Sequence, residues 1–175
     1  ALPIDGKLIS ADKFAKTITW AERIDLKSGR PVEIPGARYP DGKPAIIYPS
    51  PVGAHSAEAM AYSPKTGLAY VPSYEQGRVY IDPPPPLSAW SFTKGQVLNT
   101  GTGVAPPSIV LPPPSNDLVA WDPLTKKEVW RVPLPAMRAG GVTATGGNLV
   151  FQGNVTGNLV AYGALTGKPE IGRAH

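Results

Sequence analysis

The chain contains no cysteine among its 175 residues. That absence removes disulfides, cysteine nucleophiles, thiolate zinc sites and covalently attached c-type haem together. Histidine is nearly as scarce, with only His55 and His175. No apolar run approaches the roughly 18 residues of a membrane helix, so no membrane span is expected. Charge is thin as well: 17% of residues are charged, and seventeen Lys and Arg against thirteen Asp and Glu leave a net +4. The basic residues are scattered, and no arginine stripe alternates with aromatics as a nucleic-acid groove requires. The expected reading is a solvated basic surface and no nucleic-acid partner. The chain opens "ALPIDGKLIS", with neither an initiator Met nor the apolar core of a signal peptide. It is expected to be a processed or recombinant chain, or an internal piece of something longer.

What is abundant is proline and glycine, with 22 and 19 residues, about twice the usual share of each. Helices tolerate neither well. Yet 42% of residues are hydrophobic, too many for wholesale disorder. Short strands joined by Gly- and Pro-rich turns satisfy both facts, and the fold class is all-β.

The sequence also repeats. "LVAWDPLTKKEVWRV" (118–132) and "LVAYGALTGKPEIGR" (159–173) align without gaps. "AMAYSPKTGLAYV" (59–71) is a third copy, and "ERIDLKSGRPVE" (22–33) a looser fourth. The anchors Ser28, Thr66, Thr125 and Thr166 lie 38, 59 and 41 residues apart. Each unit reads as a hairpin: an apolar strand, a turn tied by a hydroxyl, a residue free to take positive φ, and a second strand. In the best copy that strand delivers Trp130. Between the last two copies, hairpins are expected around Gly146-Gly147 and Thr156-Gly157, completing nearly one four-stranded unit. Units of about 40 residues with four short strands are β-propeller blades; a β-sandwich would need no such period. The four copies are expected to form blades of a single propeller domain, 1–175. A Pro-rich loop insertion is expected at about 74–116, with polyproline character.

The periodic Ala-x-Asp-x-x-Thr-Gly-x-x-x-Trp pattern resembles the tryptophan-docking motif of the quinoprotein alcohol dehydrogenases. Ala120, Asp122, Thr125 and Trp130 fill it, with Lys126 in place of Gly. The last copy keeps Ala161, Thr166 and Gly167 but has Gly163 for Asp and Ile171 for Trp. "GKLISADKF", "GAHSAEAMAYSPKTGLAYVP", "LVAWDPLTKKEVWRVPLP" and "GGNLVFQGNVTGNLVAYGALTGK" are similar, in order, to consecutive segments of the methanol/ethanol type. The resemblance is weakest at 74–116. It implies about four blades of an eight-bladed propeller, drawn from the second half of a bacterial, periplasmic enzyme. That enzyme would oxidise alcohols to aldehydes with pyrroloquinoline quinone (PQQ) and calcium or a lanthanide, and no haem is implied in this chain.

The resemblance further implies that the catalytic Asp and the metal ligands lie upstream, so no catalytic or metal residue is expected here. A family segment Gly-Ala-His-Asn-Trp-x-Pro-Met borders the quinone. Here it keeps His55 but reads Ser56 for Asn, Ala57 for Trp and Ala59 for Pro. A second segment, Trp-Asn-Gly-Gly, reads Arg138-Ala139-Gly140-Gly141. The candidate cofactor-contacting positions are therefore His55, Ser56, Ala57, Arg138, Gly140 and Gly141. Alongside that reading, His55 is also consistent with a turn residue hydrogen-bonded in place, and Arg138 with a solvated loop charge. Asp82 and Asp117 read as ordinary loop acids without metal spacing, and Asn154-Val155-Thr156 as a turn.

Two functional readings follow. In one, the chain is part of a PQQ-dependent alcohol dehydrogenase, inactive alone and acting on small alcohols only when complete. In the other it is a non-catalytic propeller-type binding or assembly module. Its partners would be a second copy or the remainder of a propeller, since an open blade stack leaves edge strands exposed.

Overall fold

The four repeat turns fold alike. The residue after each anchor takes a left-handed conformation: Gly29 at φ 68°, Gly67 at 71°, Lys126 at 60° and Gly167 at 67°. In each, the N–H of that residue donates to the carbonyl four positions back, on Asp25, Ser63, Asp122 or Gly163, at 2.8 Å. Side chains tie the loops. Asp25 Oδ1 accepts from the Lys27 and Ser28 amides and from Ser28 Oγ. Asp122 Oδ1 accepts from the amides of Leu124 and Thr125. These bonds hold both carboxyls below the ordinary carboxylate range, with Ser28 the leading cause for Asp25 and Thr125 for Asp122. The hydroxyl at the anchor and the left-handed residue after it thus have the roles expected from the repeat.

The computed structural model describes residues 5–39, 42–83, 87–95, 102–135 and 139–171. These are strands and turns, with a short 3-10 turn at Leu87–Ala89 and no α-helix among the described residues. The chain divides into two compact units. The first comprises Ala1–Ala11, Thr17–Pro51 and Gly77–Pro112. It holds a hairpin of β1 (Ala21–Ile24) and β2 (Pro31–Glu33) and a pair of β3 (Ala45–Ile47) with β6 (Arg78–Tyr80). Strand β6 lies inside the stretch expected to be a Pro-rich loop.

The second unit comprises Asp12–Lys16, Val52–Gln76 and Pro113–His175. It contains two antiparallel four-stranded sheets of the propeller-blade kind. One is ordered β4 (Ala61–Ser63), β5 (Leu68–Glu75), β7 (Ser115–Asp122), β8 (Lys127–Pro133). The other is β9 (Ala139–Ala144), β10 (Leu149–Asn154), β11 (Leu159–Gly163), β12 (Pro169–Ile171). The hairpins expected at 146–147 and 156–157 join β9 to β10 and β10 to β11. Asn154 ties the second of these, its Oδ1 accepting from the Thr156 amide and hydroxyl and the Asn158 amide.

Side chains alternate across a strand, so each sheet presents one face to a shared core. From the first sheet come Leu68, Tyr70, Leu118, Ala120 and Trp130; from the second, Val142, Val150, Tyr162 and the turn residue Ala164. Each side chain as large as Leu or Tyr buried this way contributes about 1.5–3 kcal/mol. The indole N–H of Trp130 donates to Ala164 O at 2.9 Å, and the Tyr70 hydroxyl donates to the same oxygen at 3.2 Å.

Asp117 is not the loop acid that its neighbourhood in the sequence implied. It lies within β7, 2% exposed, paired with Lys16 at 2.7 Å and Arg131 at 2.9 Å. Arg131 also donates to Glu128 and to the Phe14 carbonyl. Burial works against the Arg131 charge, but the hydrogen bonds with Glu128 and Asp117 outweigh it and raise its pKa. The network fastens segment 12–16 to the first sheet.

Candidate functional site

The segment 53–60 runs into β4 without regular structure of its own, and backbone bonds hold it in place. Gly53 takes φ 79°, and a Cβ there would come within 2.7 Å of the His55 carbonyl oxygen. Ala54 is buried and its carbonyl accepts from the Tyr74 amide at 2.8 Å. One residue on, His55 Nδ1 lies 2.8 Å from Pro72 O. A carbonyl only accepts, so Nδ1 carries the proton and donates. His55 is therefore anchored to β5, as a turn residue hydrogen-bonded in place would be.

Ser56 and Ala57 are exposed. The chain then meets β9: Ala59 O accepts from the Val142 amide at 2.9 Å. A Cβ on Gly141 would lie 2.9 Å from Ala59 N and 3.0 Å from Ala59 Cβ, so only glycine permits this approach. Gly140 and Gly141 are exposed, whereas Ala139 is buried. The structure thus brings the two segments singled out from the sequence, 53–59 and 139–141, side by side. Arg138 lies outside the described residues.

Behind this surface lies a residue that sequence reasoning missed. Gln152, on β10 and 2% exposed, donates from Nε2 to Gly140 O at 2.8 Å. Its signal was present: in "LVFQGN" it stands two positions after Val150, a polar side chain on the apolar face of an alternating strand. No group of three or more His, Asp or Glu placed to hold a metal ion occurs among the described residues. Chemically, the surface offers a serine hydroxyl, exposed glycine backbone and an anchored imidazole.

No family model matches the chain. It is 44% identical over 169 residues to the quinohemoprotein alcohol dehydrogenase ADH IIB of Pseudomonas putida, covering 94% of this chain and 23% of that protein. Among solved structures it matches the quinohemoprotein alcohol dehydrogenase of Comamonas testosteroni with a TM-score of 0.76 and 37% identity, over 94% of this chain and 24% of that one. It also matches a europium-containing methanol dehydrogenase with a TM-score of 0.74 and 25% identity, over 97% of this chain and 29% of that one. The chain spans about a quarter of the length of the relatives it matches.

Proposed function

The chain belongs to the quinoprotein alcohol dehydrogenases as a partial segment of their propeller, and we propose that it supplies blades and part of the pocket wall of an enzyme oxidising alcohols to aldehydes. The observation that carries this reading is the 44% identity extending over 94% of the chain. The meeting of Gly141 with Ala59 supports it, because two distant segments that resemble quinone-facing ones come together there. Catalysis by the segment alone is not proposed.

PQQ is planar and rich in oxygen, so it needs a flat apolar face and donors directed at its carbonyl and carboxylate oxygens. The described residues meet only part of that demand. Ser56 offers one hydroxyl and Gly140-Gly141 an open backbone, but Ala57 has no ring and the Ala139 methyl is buried. The Nδ1–H of His55 is already engaged by Pro72. These residues do not fit the quinone by themselves, and no step of its chemistry is assigned to this chain. Any calcium or lanthanide is proposed to be held by parts of the enzyme outside this segment, in a periplasmic protein. Ala120, Asp122, Thr125 and Trp130 are read as a docking unit that fastens one blade to the next, consistent with the bond from Trp130 to Ala164.

A second reading is favoured by Ser56, Ala57 and Ala139, which carry neither a ring nor an amide: a non-catalytic propeller module that binds a second copy or the rest of a propeller. One titration separates the two. The purified chain, combined with the rest of a quinoprotein alcohol dehydrogenase propeller, is titrated with PQQ and calcium while tryptophan fluorescence, that of the chain's four tryptophans included, is followed. Saturable, metal-dependent quenching at micromolar or tighter affinity supports the enzyme reading. Absence of quenching, with self-association seen by sedimentation, supports the module.

A further inference from the structure

We propose that Asn116 and Gln152 hold an internal water site between the two sheets of the second unit, directly behind Gly140. Both side chains are buried, at 1% and 2% exposure. Neither Nδ2 nor Oδ1 of Asn116, nor Oε1 of Gln152, has a hydrogen-bonding partner among the described residues. A buried carboxamide left in that condition costs about 1–3 kcal/mol for each unsatisfied group. Natural folds satisfy such groups with protein or with ordered water.

The strand registers place the two residues in the same seam. Asn116 precedes Leu118 by two positions on β7, and Gln152 follows Val150 by two on β10; Leu118 and Val150 belong to the core shared by the sheets. Alternation therefore turns Asn116 and Gln152 towards that core. They also lie at the same end of it. Ala164 marks the opposite end, through its bonds from Trp130 and Tyr70. Trp130 and Tyr70 pair with Ala120, and stepping back along β7 through Leu118 to Asn116 leads away from them. On β10, Leu149 pairs with Gly163, beside Ala164, whereas Gln152 pairs with Val160 farther along. The bonds Leu134 N to Asn116 O and Gln152 Nε2 to Gly140 O sit at this same far end.

The donor and acceptor inventory matches water. Asn116 offers two N–H donors and an acceptor oxygen, and Gln152 Oε1 offers a second acceptor. The two side chains do not bond each other directly, and buried polar groups left unpaired on one seam are what an ordered water satisfies. The consequence is local. With Oε1 held by water, the Gln152 amide stays fixed with Nε2 on Gly140 O, and the start of β9 is held at the candidate site.

The test is a crystal structure of the chain at high resolution, together with a thermal double-mutant cycle. A water peak about 2.7–3.2 Å from both Asn116 and Gln152 Oε1 is expected. A direct Asn116–Gln152 bond, or a seam without density, overturns the proposal. In the cycle, Asn116→Leu and Gln152→Leu are each expected to lower Tm by about 3–6 °C. The double variant is expected to lower it by clearly less than the sum, because either substitution alone displaces the shared water. Strict additivity overturns the proposal, and if a variant fails to fold, the crystal structure of the unmodified chain still decides.

Discussion

Gly167 lies against the indole of Trp130: a Cβ built on Gly167 would come within 2.8 Å of the ring atoms Cδ2 and Cε3 and 3.1 Å of Val132 Cγ2. The turn of the last repeat therefore rests on the aromatic residue of the preceding one, while Ala164, three residues earlier, takes the indole hydrogen bond. Gly167 has two reasons to be glycine, its φ of 67° and this approach. Gly167→Ala is expected to destabilise the chain by about 2–3 kcal/mol through strain and overpacking. Trp130→Phe is expected to cost about 1–2 kcal/mol, because Ala164 O keeps its bond from Tyr70. Urea unfolding followed by circular dichroism measures both, and an unchanged midpoint for Gly167→Ala contradicts the contact.

Lys126 holds the same left-handed turn position without glycine's freedom, at φ 60° on an exposed loop. Lys126→Gly is expected to stabilise by about 1 kcal/mol by removing the steric strain of a Cβ there. The check is a rise in Tm of a few degrees. A fall means the lysine side chain contributes more than its backbone strain removes.

Asp117 is the buried centre of an ion-pair network with Arg131 and Lys16. Asp117→Asn keeps the shape but leaves Arg131, 13% exposed at its side chain, facing a neutral partner. The expected loss is about 3 kcal/mol, at the low end for a broken buried pair because Lys16 can turn to solvent. Because Arg131 also grips Phe14 O, protease cleavage near residues 12–16 should accelerate in the variant. Unchanged cleavage and stability together would mean that the network does not fasten segment 12–16 to the first sheet.

Burial raises the pKa of Tyr70 and Tyr162 above the ordinary value of 10.0, with a bond to Thr66 partly opposing it at Tyr70. Below pH 10 both phenols are protonated whether folded or unfolded, and the contribution is fully present. As pH rises past 10 the unfolded chain ionises first, so stability falls until the folded-state pKa values are passed. The urea midpoint should therefore drop as the pH is raised above 10. Tyr162→Phe should flatten that drop; an equal drop in the variant would assign it to other groups.

The turns could be read from the chain because their chemistry is local. An Asp, Ser or Gly, a hydroxyl three residues later and a residue able to take positive φ carry their own hydrogen bonds within six positions. Strand identity followed for the same reason, from apolar residues spaced between turns. The two candidate segments were also legible, as small-residue runs that resemble known ones. What bound them together was not.

That Gly141 would meet Ala59, that Asp117 would find Lys16 and Arg131, and that Gln152 would reach Gly140 depend on strand register. They join positions 12 to 101 residues apart. Sequence alone determined that this chain makes hairpins of a repeating, blade-like kind, because each hairpin's free energy is settled by its own few residues. Only the tertiary structure decided which polar groups are buried together, since burial depends on what a distant strand brings to the opposite face.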